Sequence, residues 1–115
     1  MIMIILDKSI SIKDLKVIAD ELFSDMVKAV ADTRNGLIAI DAELHSDLER
    51  LLLENGSDQE DLWGFNIYPE MDGEDFIEFD SLINIRPRQN NRSRYVESAE
   101  VRENITALVD KFIAR

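Results

Sequence analysis

"MVKAVADTRNGLIAID", residues 26–41, decides how this chain folds. Asn35-Gly36 is a favoured hairpin dipeptide, because a tight two-residue turn between strands needs backbone with positive φ. Before it, Val27, Ala29 and Ala31 alternate with Lys28 and Asp32. After it, Ile38, Ile40, Ala42 and Leu44 share one face and Ala39, Asp41, Glu43 and His45 the other, since a strand repeats every two residues. Two antiparallel strands are expected, over about 27–32 and 37–45.

Toward the N-terminus, "SIKDLKVIADELFSD" places Ile12, Leu15, Ile18, Leu22 and Met26 at helical spacing. Ser11 and Asp14 resemble a capping box, so a helix is expected over about 11–24. "MIMIIL" ahead of it shows no polar alternation and reads as a strand buried on both faces or at a subunit contact. It is six residues long without a basic flank, whereas a secretory signal would need a longer apolar run and that flank. No run approaches the roughly 18 residues that span a bilayer. Cysteine is absent, which excludes thiol chemistry, and the expected setting is the cytoplasm, away from membranes.

Toward the C-terminus, Ser46 and Glu49 form a second possible capping box, and Leu48, Leu51 and Leu52 give a short helix over about 47–54. "LWGFNIY" reads as a strand with Trp63, Phe65 and Ile67 on one side. "FIEFDSLINIR" reads as the clearest strand of all, with Ile77, Phe79, Ile83 and Ile85 facing one way and Glu78, Asp80, Asn84 and Arg86 the other, until Pro87 ends it. A last helix from about Ser98 lines up Val101, Ile105, Leu108, Val109 and Phe112. The expectation is one α+β domain over 1–115: two layers, a mostly antiparallel sheet, and about three helices packed on one face. The other face would be polar and partly open.

The charge is unevenly placed. The formal net charge is −11, and residues 41–80 carry one basic against fourteen acidic side chains. Arg86, Arg88, Arg92 and Arg94 then fall within nine residues. Guanidinium groups form bidentate bonds to carboxylates and phosphates. The loop with Asn91 could therefore clamp an anion or dock on acidic surface of this chain, a second copy or another protein. Nucleic acid is disfavoured, because a broad basic footprint is missing and the acidic middle repels polyanions. On the polar face, Asp41, Glu43 and His45 could hold a divalent metal. Glu43, His45 and Asp47 could supply acid–base chemistry, with Arg86 and Arg92 holding a phosphate. Each has a plainer alternative: a solvated sheet face, a structural histidine, and arginines paired within the chain. No cofactor is implied.

"ELHSDLERLLLENGSDQEDLWG" (43–64) and "FDSLINIRPRQNNRSR" (79–94) resemble a family of small prokaryotic proteins described only as a domain of unknown function. The resemblance extends more loosely to both ends and implies no chemistry. It implies that Glu43, His45, Asp47, Trp63, Gly64, Arg86, Pro87, Asn91, Arg92 and Ser93 form one recurring surface or packing unit; Asp41 lies outside it. Three readings follow. The first is a non-catalytic, self-associating or protein-binding module whose arginine loop docks on acidic surface. The second is a small hydrolase or nucleic-acid-processing enzyme using Glu43, His45 and Asp47. The third is an RNA-binding accessory protein.

Overall fold

The computed structural model describes residues 2–115. Its centre is the expected hairpin: β3 (Val27–Asp32) and β4 (Leu37–Ile40) pair antiparallel, with Ala29 opposite Ile40 and Asp32 opposite Leu37. Gly36 takes φ 71° in the turn, the left-handed backbone that glycine adopts without a Cβ penalty. Asp32 closes it: its carboxylate accepts from the backbone of Arg34 and Asn35, the Asn35 side chain and the Ser57 hydroxyl.

A five-stranded, wholly antiparallel sheet grows from this hairpin in the order β1-β4-β3-β5-β6, where β1 is Ile4–Ile5, β5 Leu62–Ile67 and β6 Ile77–Glu78. A small parallel pair, β2 (Ile10–Ser11) with β7 (Ile113–Ala114), ties the two ends of the chain together. The helices are α1 (Ile12–Leu22), α2 (His45–Glu54) and α3 (Ala99–Phe112). Ser11 caps α1 by accepting from Asp14 N at 3.1 Å, and Ser98 caps α3 by accepting from Val101 N at 3.3 Å.

The α+β class, the mostly antiparallel sheet and the three helices are as expected, but the helices divide between the faces. Leu15 and Ala19 of α1 and Ile105, Val109 and Phe112 of α3 pack on Ala29, Ala31, Ile38, Ile40, Trp63, Phe65 and Ile67. Leu48 and Leu52 of α2 pack instead on Val30, Ala39 and Leu62, on the opposite face. Val30, Leu37, Ala39 and Leu62 make this part of the face apolar, and leaving its large side chains in water would forfeit about 1.5–3 kcal/mol each. The end of that face carrying Lys28, Asn66 and Glu78 is polar.

Three local expectations are corrected. The β4 strand stops at Ile40, because Asp41 takes φ 75° and turns the chain away from the sheet. Helix α2 then starts at His45 with Leu44 as its N-cap and no side-chain cap, so the Ser46–Glu49 box does not form. The stretch 76–86 is not one long strand. After Glu78 it leaves the sheet and runs through two short 3-10 turns, Leu82–Asn84 and Pro87–Gln89. Ile85 is exposed while Asn84 is fully buried, the reverse of the predicted pattern.

The N-terminal segment is not buried on both faces. Ile2, Met3 and Ile4 are exposed and lie along the free edge of β1. Among the described residues no helix is long and apolar enough to cross a membrane.

Candidate functional site

The buried centre of the 76–94 region is Asn84. Its Oδ1 accepts from Gly64 N at 2.8 Å, and its Nδ2 donates to Gly64 O at 2.9 Å and to Arg94 O at 3.0 Å. A side-chain amide thus makes the two bonds that a neighbouring strand would make to β5, and it satisfies backbone groups that burial would otherwise orphan. Gly64 is required there: a Cβ would lie 2.6 Å from both Cβ and Oγ of Ser81. A second asparagine organises the loop beyond. Buried Asn91 donates to the carbonyls of Asn84, Ser93 and Tyr95 and accepts from Glu97 N.

The four arginines on this frame have three different fates. Arg86 turns inward. Its guanidinium lies 4.4 Å from the centre of the Trp63 ring and donates to the carbonyls of Ile83, Gln59 and Leu62 and to Gln89 Oε1. Burial pushes its pKa down, partly offset by Glu49. Arg94 forms a two-pronged ion pair with Asp80, at 2.6 and 3.2 Å. That hydrogen-bonded carboxylate pushes the Arg94 pKa up. Arg88 and Arg92 are exposed, and no ion pair among the described residues includes them. The backbone N–H groups of Arg92 and Ser93, with the Ser93 hydroxyl, all bind Glu97 Oε2. An anion-holding turn is therefore present, and the chain's own carboxylate fills it.

The residues expected to supply acid–base or metal chemistry are spread apart. His45 is buried at the start of α2, with Nε2 2.8 Å from the carbonyl oxygen of Phe65. Burial lowers its pKa, the Phe65 bond opposes this, and nearby Lys28 adds to the depression. The neutral imidazole donating through Nε2 satisfies that geometry and makes His45 a structural contact between α2 and β5. Asp41 accepts from Ile2 N at 3.2 Å. Glu43 is exposed in the turn ahead of α2, and Asp47 lies in its first turn. Among the described residues, the three acidic or histidine groups whose ligand atoms come within common reach are Asp58, Glu60 and Asp61, not Asp41, Glu43 and His45. His45 and Arg92 line no shared cavity among those described.

The polar end of the sheet brings Asn66, Tyr68, Glu78 and Asp80 together. Tyr68 OH donates to Glu78 Oε1 at 2.9 Å, and Asn66 Nδ2 donates to the same oxygen at 2.9 Å. Burial, with the Glu78 bond, pushes the Tyr68 phenol up to about 12, so it stays a donor at any ordinary pH. Glu78 is thereby held at the outer edge of the sheet, where an open groove of about 1100 Å³ runs along β6. Phe76, Ile77, Phe79 and Tyr95 give the groove an apolar lining; Glu74, Asp75, Glu78 and Asp80 are its carboxylates, and Arg115 its one cation. Phe79 and Tyr95 meet edge to face, with ring centres 6.2 Å apart. Residue pair 68–76 exchanges a ladder bond, Tyr68 N to Phe76 O at 2.9 Å. Alternation along an antiparallel pair then turns the amide and carbonyl of Ile77 outward, away from β5.

The sequence reading missed this groove, since Phe79 and Tyr95 are sixteen positions apart and Phe79 was assigned to a long strand. The readable signal was Asp80-Ser81, a turn-forming pair inside the proposed strand. Trp63, Gly64, Arg86 and Asn91, grouped by the family resemblance, do share one packing network.

No curated protein and no solved structure matches the chain. A family model does match, over residues 4–112, and its description is a protein of unknown function, DUF5674. With nearly the whole chain matched, this protein belongs to the DUF5674 family.

Proposed function

We propose that this chain is a protein-interaction domain that works without catalysis, and that its docking surface is the groove along β6. One observation carries this reading: a sheet edge with an outward-facing amide and carbonyl at Ile77 lies in an open, aromatic-lined groove. Exposed strand edges are templates for adding another strand, and proteins commonly cover or blunt them. Strand addition uses the edge for affinity and the flanking side-chain pockets for selectivity.

The test is an amide NMR titration of the intact chain with a panel of extended decapeptides of varied charge. Shifts confined to residues 76–80 and Tyr95, and abolished by Ile77→Pro, support the reading. A panel in which no peptide moves those amides overturns it.

A second reading rests on Arg88 and Arg92. They project from a loop pinned by Asn84, Asn91 and Arg86, so little further ordering is needed to present them. We infer that they form a salt-sensitive contact with acidic surface on a second copy of the chain. Sedimentation in 50 mM and 500 mM salt tests it. A dimer that weakens with salt, and is lost in Arg88→Ala with Arg92→Ala, supports the contact. A monomer under both conditions removes it.

A further inference from the structure

We infer, resting on the docking reading above, that the groove selects an extended segment of a partner protein in which basic and apolar residues alternate. A strand added beside β6 would place every second side chain on the face of Glu78 and Asp80, and the intervening ones toward Ile77, Phe79 and Tyr95. The first set meets carboxylates. Glu78 is oriented by Tyr68 and Asn66, which both bind one oxygen and leave the other free. Asp80 is already shared with Arg94. Glu74 and Asp75 extend the negative rim, against Arg115 as the one lining cation. The second set meets aromatic rings and an isoleucine.

Neither the arginine loop nor the outer edge of β1 in a second copy fits this description. The arginine loop cannot add as a strand, because residues 87–89 form a 3-10 turn and the N–H groups of Arg92 and Ser93 are held by Glu97. The outer edge of β1 is extended, but Ile2, Met3 and Ile4 carry no charge for the rim. The occupant is therefore a basic segment from another chain.

The experiment compares three decapeptides of identical apolar positions, with Lys, Gln or Glu at the alternating ones, by isothermal titration calorimetry with the intact domain. About three exposed rim pairs of modest strength predict roughly tenfold tighter binding of the Lys peptide than the Gln peptide. The Glu peptide should bind weakest. The Lys advantage should shrink toward the Gln value in 1 M salt, where the screening length falls to roughly 3 Å. Glu78→Lys with Asp75→Lys should reverse the order.

Equal binding of Lys and Gln peptides overturns the charge selection but leaves docking at β6 intact. Failure of all three overturns the docking reading itself. Self-association of the domain that shifts the same β6 amides overturns the partner inference in favour of a second copy.

Discussion

Replacing Asn84 with alanine tests whether a side chain substitutes for a strand. The change deletes three hydrogen bonds: from Gly64 N, and to Gly64 O and Arg94 O. Gly64 sits in a strand that is buried throughout. An orphaned buried N–H costs about 1–3 kcal/mol, and each of the two carbonyls left without its donor adds about 1 kcal/mol, for roughly 3–5 kcal/mol in all. Against a total stability of about 5–15 kcal/mol, that is a large fraction. In a chain of this size the midpoint of thermal unfolding should fall by roughly 10–20 °C. Urea titration followed by Trp63 fluorescence gives the free energy directly, since Trp63 is the only tryptophan and adjoins Gly64. Leu82→Ala, at a side chain exposed in the same 3-10 turn, is the control and should cost less than about 0.5 kcal/mol. A loss below about 1 kcal/mol for Asn84→Ala would refute the strand-substitute account.

Three further outcomes are expected. Gly64→Ala should cost about 1–3 kcal/mol through overpacking against Ser81, and adding Ser81→Gly should recover part of it, as a double-mutant cycle in urea would show. Arg86→Lys should destabilise by about 2 kcal/mol and change Trp63 emission, because lysine cannot span the carbonyls of Ile83, Gln59 and Leu62 while stacking on the ring; Arg88→Ala should be nearly neutral. His45 has a depressed folded-state pKa, so its stabilisation is complete above its ordinary value of 6.5 and is lost as pH falls below that, where the unfolded chain takes up the proton first. His45→Gln should flatten the stability profile between pH 7 and 5, and an unchanged slope would count against this.

How much of this could be read in advance depended on whether backbone or side chains made the connections. The 26–41 hairpin was legible because Asn35-Gly36 and the flanking alternation both report backbone geometry. Helices α1 and α3 were legible because Ser11 and Ser98 sit just ahead of apolar stripes at helical spacing. The start of α2 was not, because Leu44 supplies only its backbone. The stretch 76–86 misled for a specific reason: its apolar residues are two apart, yet Asn84 points inward and replaces the ladder with an amide. The division of helices between faces was hinted at by Val30 and Leu62, which alternation places opposite the main core. The arginine cluster was visible as a cluster, but only Arg94 takes the carboxylate partner that charge counting suggested. Arg86 takes carbonyls and a tryptophan, which no count of charges can reveal.

The two rims of the main sheet are unlike, and that has a bearing on solubility. One end presents Ile2, Met3 and Ile4 without a charge; the other presents β6 under its carboxylates. Joining β1 of one molecule to β6 of the next is a head-to-tail contact, which grows into a filament wherever its rotation does not close a ring. Mutual repulsion between acidic molecules stands against that growth at neutral pH. Acidification strips the repulsion away while leaving the greasy rim unchanged, so mildly acidic storage is the condition under which this protein should gel first.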